Sequence, residues 1–547
     1  MQTAPPKLIE FVDQDGIPIE LELCQEKDCT CGEGIARWTY HQVKCAAHYW
    51  HAQHWRSIKR EDTLKQELEL AQAEIRLLKQ RIYGKSAEVK KKSEGLIDQK
   101  SARKRGQQPG SQGHGRIEHN LEELEEIIEL PLDERCCATC QQPYEELSVT
   151  EDSEIIEIAV KGYCRKIKRK KYRSSCRCKG TRKLLTAPSI PRLIPKGKIG
   201  TSIWASLLMD KYGGHTPTNN YLNKLQWYGI ELAQGTVTDG LKKIVPLLSP
   251  IVQSILKKSQ KEKHWHADET RWEVFEEVEG KVSSRWYLWI FKSTSAVYYN
   301  LSPSRGYRVP KDFFADVKEG ILSCDRYVVY KKVESSGVVI LALCWAHVRR
   351  DFLNVGKGYP EFREWSHTWV EKIGLLYKLN KERLQATDER MFNSVHERLK
   401  SHLDGMEVTK NEELNSVPRH PAKHSVLKSL SNHWKGLIVF LEHPEIPMDN
   451  NEAERGLRGP VTGRKNYYGS GSIWSAELAA AMFSIIQTVK LWDLNPLTWL
   501  YHYLECCLHN NNKPPENLEQ FLPWSMNEER KKTITNSLCL FPGLDSS

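Results

Sequence analysis

Pro447-Met448-Asp449-Asn450-Asn451-Glu452-Ala453-Glu454-Arg455-Gly456-Leu457-Arg458, with Gly463-Arg464-Lys465-Asn466 close behind, reads as the start of a helix that carries chemistry. Asp449 and Glu452 have the spacing of a capping box, in which each side chain takes a backbone N–H that the first turn leaves unpaired. Glu454 lies two residues further, roughly 200° round a helix of ~3.6 residues per turn, so capping does not explain it. Its partners are sought upstream, in two aspartates with strand-like surroundings: Asp268 in His266-Ala267-Asp268-Glu269-Thr270 and Asp325 in Leu322-Ser323-Cys324-Asp325-Arg326-Tyr327. Three carboxylates far apart in sequence and gathered by a fold suit a hard divalent ion such as Mg²⁺, which prefers oxygen ligands and keeps several waters. Glu269 and Glu452 are the competing acids, one adjacent to Asp268 and the other two residues from Glu454.

The 547 residues predict three or four domains, at about 150 residues each. Net charge is +10, but the basic residues are unevenly placed: Lys161 to Lys183 holds twelve Lys or Arg and no acid. Such a run fits a polyanion partner or, more simply, a solvated basic face. Met1 to Glu20 has no apolar core of a signal peptide, and no apolar run approaches the ~20 residues of a membrane helix. A soluble, cytoplasmic protein is expected. Its fifteen cysteines then suggest metal ligands or buried thiols rather than disulfides.

In chain order, residues 1–58 hold a Cys/His cluster in which Cys29, Cys31, Cys45 and His48 could form a zinc knuckle or be ordinary loop cysteines before a His-rich helix. Residues 59–86 carry Leu64, Leu68, Leu70, Ile75, Leu77, Leu78 and Ile82 at helical spacing, either a short self-associating coiled coil or a helix packed on its own domain. Residues 87–120 read as a flexible basic linker. Residues 121–192 form a small basic module resembling a zinc ribbon, with Cys137, Cys140, Cys176 and Cys178 as Zn²⁺ ligands, Cys136 and Cys164 as competitors, and a strand at Ser153 to Val160. Inside it Lys168, Arg169, Lys170, Lys171 and Arg173 are placed to meet a nucleic-acid backbone. Residues 193–260 are helical and would fit either a helix-turn-helix around Gly229 or a plain helical layer.

From residue 261 the pattern changes to three antiparallel strands, then strands at Gly320 to Tyr330 and Gly337 to Trp345, which can lie parallel to the first and bring Asp268 beside Asp325. The class expected is α+β or α/β in several domains, with residues 353–445 a helical insertion within a domain spanning 261–500. Residues 501–547 make a tail element.

Asp268-Glu269-Thr270, Asp325-x-Tyr327, Cys344-Trp345-Ala346-His347-Val348-Arg349-Arg350, Asp449-Asn450-Asn451-x-Ala453-Glu454-Arg455, Gly463-Arg464-Lys465-Asn466 and Leu522-Pro523-Trp524 together resemble the insertion-sequence-66 family of DDE transposases, in order and over nearly the whole chain from about residue 60. The resemblance implies a ribonuclease-H-like catalytic domain and two Mg²⁺ (or Mn²⁺) ions on Asp268, Asp325 and Glu454. It also implies action on an element's terminal inverted repeats and on target DNA. A homodimer or larger complex, accessory proteins of the element and a bacterial, nucleoid-associated location are expected with it. Arg455, Arg458, Arg464 and Lys465 are candidate DNA contacts, with His347 and Arg350 as further candidates. Two other readings remain: a DNA-binding regulator whose catalytic domain is inert, and a nuclease without strand transfer.

Overall fold

The computed structural model describes residues 33–83, 162–173, 184–279, 283–416 and 420–535, with positions 135, 139, 140, 142, 175 and 182. Its first elements are α1 (Glu33–Tyr83), β1 (Lys171–Arg173), β2 (Leu184–Thr186), α2 (Thr201–Tyr212), α3 (Thr218–Trp227) and α4 (Gln234–Gln260). The sheet region follows with β3 (His264–Glu273), β4 (Arg285–Lys292), β5 (Val297–Ser302), α5 (Arg308–Phe313), β6 (Gly320–Cys324), α6 (Val328–Glu334) and β7 (Val339–Leu343). Then come α7 (Trp345–Gly358), α8 (Arg363–Leu384), α9 (Glu389–Asn415), α10 (Pro421–Asn432), α11 (Trp434–Leu437) and α12 (Val439–Glu442). The chain closes with α13 (Asn451–Tyr467), α14 (Ile473–Leu491), α15 (Pro496–His509) and α16 (Glu528–Thr535). This is a mixed α+β protein in two compact units.

The larger unit holds a five-stranded mixed sheet in the order β5-β4-β3-β6-β7. β3, β4 and β5 are antiparallel, while β6 and β7 run parallel to β3, as the sequence pattern predicts. Side chains alternate across β3. His266, Asp268 and Thr270 face α13; Trp265 faces α5, where it meets the ring of Phe314 at 5.2 Å between centroids. The edge strand β5 is covered rather than left open, because Ser484 and Thr488 of α14 accept from the Tyr299 and Val297 amides at 2.9 and 3.0 Å. α13 crosses β4 so closely that a Cβ on Gly456 would stand 2.3 Å from the Ile290 side chain, and the Tyr299 hydroxyl donates to the Gly456 carbonyl at 2.7 Å. One continuous core joins α2, α3, α4, α14 and α15 to that face of the sheet.

One boundary departs from the sequence reading, and the Gly229 turn between two helices agrees with it. The strand expected to run to Tyr330 stops at Cys324, because the Asp325 carboxylate turns back to accept the Tyr327 amide at 2.9 Å. Val329, Tyr330 and Val333 then bury on one side of α6, a helical spacing that β-branched residues disguise as strand. Between α3 and α4, Gly229 adopts φ +73° and the Ile230 and Gly229 amides return to the carbonyls of Leu225 and Gln226, a Schellman ending. α4 runs for 27 residues with buried Val237, Leu241, Ile244, Leu248 and Ile251, so most of it serves the core.

The smaller unit comprises, of the described residues, 33–83, 349–375 and 420–426. Its helix begins at Glu33, far ahead of the expected start near residue 59, so Cys45 and His48 lie on a helix rather than in a loop. α1 uses one face internally: Ala73 is buried with Val355 and Tyr359, Arg76 donates to the Gly358 carbonyl, and His420 lies 3.7 Å from Glu69. Leu64, Leu68, Ile75 and Leu78, on another face, stay exposed.

Candidate active site

β3 and β6 pair in parallel, with His264 opposite Ile321, Trp265 opposite Leu322 and His266 opposite Ser323. Continued by two residues that register would set Asp268 beside Asp325, which follows the end of β6 at Cys324 and lies close enough to raise the Asp268 carboxyl. Glu454 enters from α13, whose position is fixed through its cap residue. Asn450, only 1 % exposed, accepts from His266 Nδ1–H at 3.0 Å through Oδ1, and donates to the Ala267 carbonyl at 2.7 Å through Nδ2. Its own amide donates to the Cys344 sulfur at 3.2 Å, and the Trp345 amide to the Met448 carbonyl at 2.9 Å. The Cys344-Trp345 stretch therefore anchors the entry to the glutamate helix. The expected capping box does not form: Asn450 occupies the cap, Asp449 accepts only the Asn451 amide at 3.1 Å, and Glu452 is engaged elsewhere.

The competing acids are separated by their partners. Glu452 is held by Lys292 and Arg455, and the Lys292 hydrogen bond foremost draws its carboxyl down to about 2. Glu269, on the face of β3 opposite Asp268, is enclosed with its side chain 1 % exposed; Arg305 Nε donates to it at 2.8 Å and the Tyr330 hydroxyl at 2.7 Å. Glu452 is a neutralised pair, and Glu269 is partnered although burial still holds its carboxyl above the usual range. Asp268 and Glu454 are not so neutralised. Burial first, then the charges of Glu269, Asp325 and Glu454, pushes the Asp268 carboxyl up to about 7, against a single opposing bond from the Glu269 amide at 2.8 Å. Glu454 Oε1 is buried without a hydrogen-bond partner, and His347 Nε2 lies 3.7 Å from it. Like charges crowded into a partly buried corner cost energy unless a cation or proton offsets them.

Among the described residues, no three His, Cys, Asp or Glu side chains close into a ready-made metal centre. The donor set of the corner is nonetheless carboxylate oxygen, with one oxygen orphaned, which matches the preference of Mg²⁺. Of the proposed zinc ligands, Cys137, Cys176 and Cys178 lie outside the described residues and Cys140 is an exposed free thiol, as is the competing Cys164. Zinc has no support from the described structure. Cys29 and Cys31, the strand at 153–160 and the linker at 87–120 also lie outside it.

Of the candidate basic contacts on α13, Arg458 and Lys465 are exposed, and Arg458 stands one turn after Glu454 on the same face. Arg455 is paired with Glu452, while Arg464 donates to the Arg271 carbonyl and to Thr270 Oγ1 at 3.3 Å, clamping α13 to β3. Lys168, Arg169, Lys170, Lys171 and Arg173 are all exposed, along a strap whose β1 pairs with β2; Arg169 donates to the Ala187 carbonyl at 2.6 Å. Arg305, Tyr330, Lys292 and the pinning role of Asn450 are what the sequence reading missed. Their signal is weak, since each is decided by contacts more than thirty residues away.

The fold is a mixed sheet with Asp268 on β3, Asp325 just after β6 and Glu454 in the first turn of the flanking helix α13. The sequence model described as Transposase IS66 family matches residues 196–478, more than half of the chain, and the protein belongs to that family. Two relatives in Sinorhizobium fredii are described as uncharacterized proteins. For y4jD the identity is 27 % over 439 residues, covering 77 % of this chain and 83 % of the relative. For y4hP it is 24 % over 379 residues, covering 65 % and 68 %. No solved structure matches the chain. No helix among the described residues is long and apolar enough to cross a membrane.

Proposed function

We propose that this transposase is of the DDE type, with a ribonuclease-H-like domain that cuts at terminal inverted repeats and joins the freed end to target DNA. The observation that carries the reading is the parallel register of β3 and β6, whose continuation would align Asp268 with Asp325, together with the buried Glu454 Oε1 that has no hydrogen-bond partner. Asp268, Asp325 and Glu454 would hold two Mg²⁺ or Mn²⁺ ions, which when bound supply water activation and charge stabilisation at a leaving 3′ oxygen. The chain's own residues orient the acids and exclude competitors: Asn450 fixes α13, and the ion pairs of Glu269 and Glu452 keep those carboxylates out of the ligand set. Arg458 and Lys465 would hold phosphates along α13, and Lys168 to Arg173 a more distant stretch of backbone.

Self-association through α1 fits the same reading. Leu64, Leu68, Ala71, Ile75 and Leu78 follow a heptad seam that the internal packing at Ala73 leaves exposed. Replacing Leu68 and Ile75 by Asp should reduce the oligomeric state measured by light scattering, and an unchanged mass would remove α1 as the contact. A cytoplasmic, nucleoid-associated location, accessory proteins of the element and zinc in the cysteine module belong to the proposal too. Joining of labelled terminal-repeat DNA to a plasmid, with and without Mg²⁺, tests the whole. Clean cleavage without joining would favour a nuclease, and end binding without cleavage a regulator.

A further inference from the structure

Glu269 stands next to a proposed metal ligand, yet the alternation of β3 turns it to the other face of the sheet. A carboxylate enclosed to 1 % exposure requires partners, and it has two: Arg305, from the loop after β5, and Tyr330 of α6. Arg305 is in turn held at both ends by one residue. Its guanidinium lies over the Tyr327 ring at 4.1 Å, and its carbonyl accepts from the Tyr327 hydroxyl at 3.1 Å. Tyr327 closes the path, because its amide is the group that the Asp325 carboxylate accepts at 2.9 Å. The chain of contacts thus runs from the residue beside Asp268, across the β5–α5 loop, to the turn that presents Asp325.

We propose that Glu269 is a positioning residue, which locks Arg305 against Tyr327 and so fixes the turn holding Asp325 in line with Asp268. The proposal rests on the metal-site reading for its consequence in catalysis, but the mechanical link is a property of the protein alone. It predicts that loosening any member frees the Asp325 turn while the fold stays intact. Arg305→Lys keeps the charge and loses the fork and the stacked plane, which are not properties of an ammonium. Tyr327→Phe removes one hydroxyl.

The test uses the full chain in three measurements. Hydrogen exchange over 325–330 without divalent ions should accelerate in Arg305→Lys, Tyr327→Phe and Glu269→Gln, with neighbouring strands protected as before. Affinity for Mn²⁺ alone should fall about 10- to 100-fold, the range found when outer-shell partners of metal ligands are altered. The Mg²⁺ concentration for half-maximal end cleavage should rise in parallel, with end binding unchanged. Folded variants with wild-type exchange and wild-type Mn²⁺ affinity would overturn the proposal, as would a lower melting temperature with both unaltered. If Arg305→Lys fails to fold, Tyr327→Phe decides. A wild-type chain that neither binds Mn²⁺ nor cleaves would sink the metal reading, and the exchange data would still decide the positioning.

Discussion

Asp268, Asp325 and Glu454 bring like charge into a corner assembled from β3, β6 and α13, whereas Lys168 to Arg173 carry like charge outward on a segment of which only the last three residues form a strand, paired to another of three. In the corner, burial and then the field of the neighbours push Asp268 up to about 7, and the surplus acids Glu269 and Glu452 have dedicated cations. Along the strap every one of the basic residues is exposed to solvent, with Tyr163, Ile167 and Tyr172 exposed among them. The difference teaches where precision is needed. Chemistry on a phosphate demands fixed oxygens on rigid elements, while holding a backbone demands only charge within reach.

The comparison breaks first if the acids are replaceable. Asp268→Asn, Asp325→Asn and Glu454→Gln should each lower end cleavage roughly a thousand-fold or more, since a lost ligand forfeits several kcal/mol of charge stabilisation, with end binding preserved. Glu452→Gln should stay within a few-fold of wild type. An inactive Glu452→Gln beside an active Glu454→Gln would exchange their roles.

Asn450→Ala sharpens the claim that the corner is positioned from afar. It strips the buried His266 of its partner, at about 1–3 kcal/mol, and should lower both melting temperature and cleavage. Full activity in that variant would mean that α13 is held by packing alone. Next in size is the strap. Replacing Lys168, Lys170 and Lys171 by Ala should flatten the dependence of log affinity on log salt by up to about three units, at about 0.9 per lost contact on duplex DNA, alike on terminal-repeat and unrelated DNA. Cleavage at saturating DNA should hold. An unchanged slope would return the strap to a solvated face.

The smallest effect is in pH. A carboxyl raised in the folded state binds its proton more tightly there than in the unfolded chain, so its contribution to stability falls as pH rises from its ordinary value toward about 7. In a chelator, the melting temperature of wild type should therefore decline over that interval more than that of Asp268→Asn, and added Mg²⁺ should restore it near neutral pH. Parallel curves would show that the corner is too well solvated for the charge argument.

The sequence by itself determined the strand and helix periods, the three separated acids, and the parallel extension of an antiparallel sheet. Those features rest on local spacing, on period 2 or 3.6, and on residue chemistry. It could not place Tyr327 to Tyr330, where β-branched residues imitate a strand and only the Asp325 turn and the burial of Tyr330 select a helix. Nor could it tell Glu454 from Glu452 beyond the capping argument, which assigned the cap to Asp449 rather than Asn450. The tertiary structure decided the helix at Val328 and the surroundings of the acids, because charge compensation is set by distant residues: Lys292 for Glu452, Arg305 and Tyr330 for Glu269, and no hydrogen-bond partner for Glu454 Oε1. A carboxylate's role follows from which cation the fold brings to it, and that pairing leaves no periodic trace in the chain.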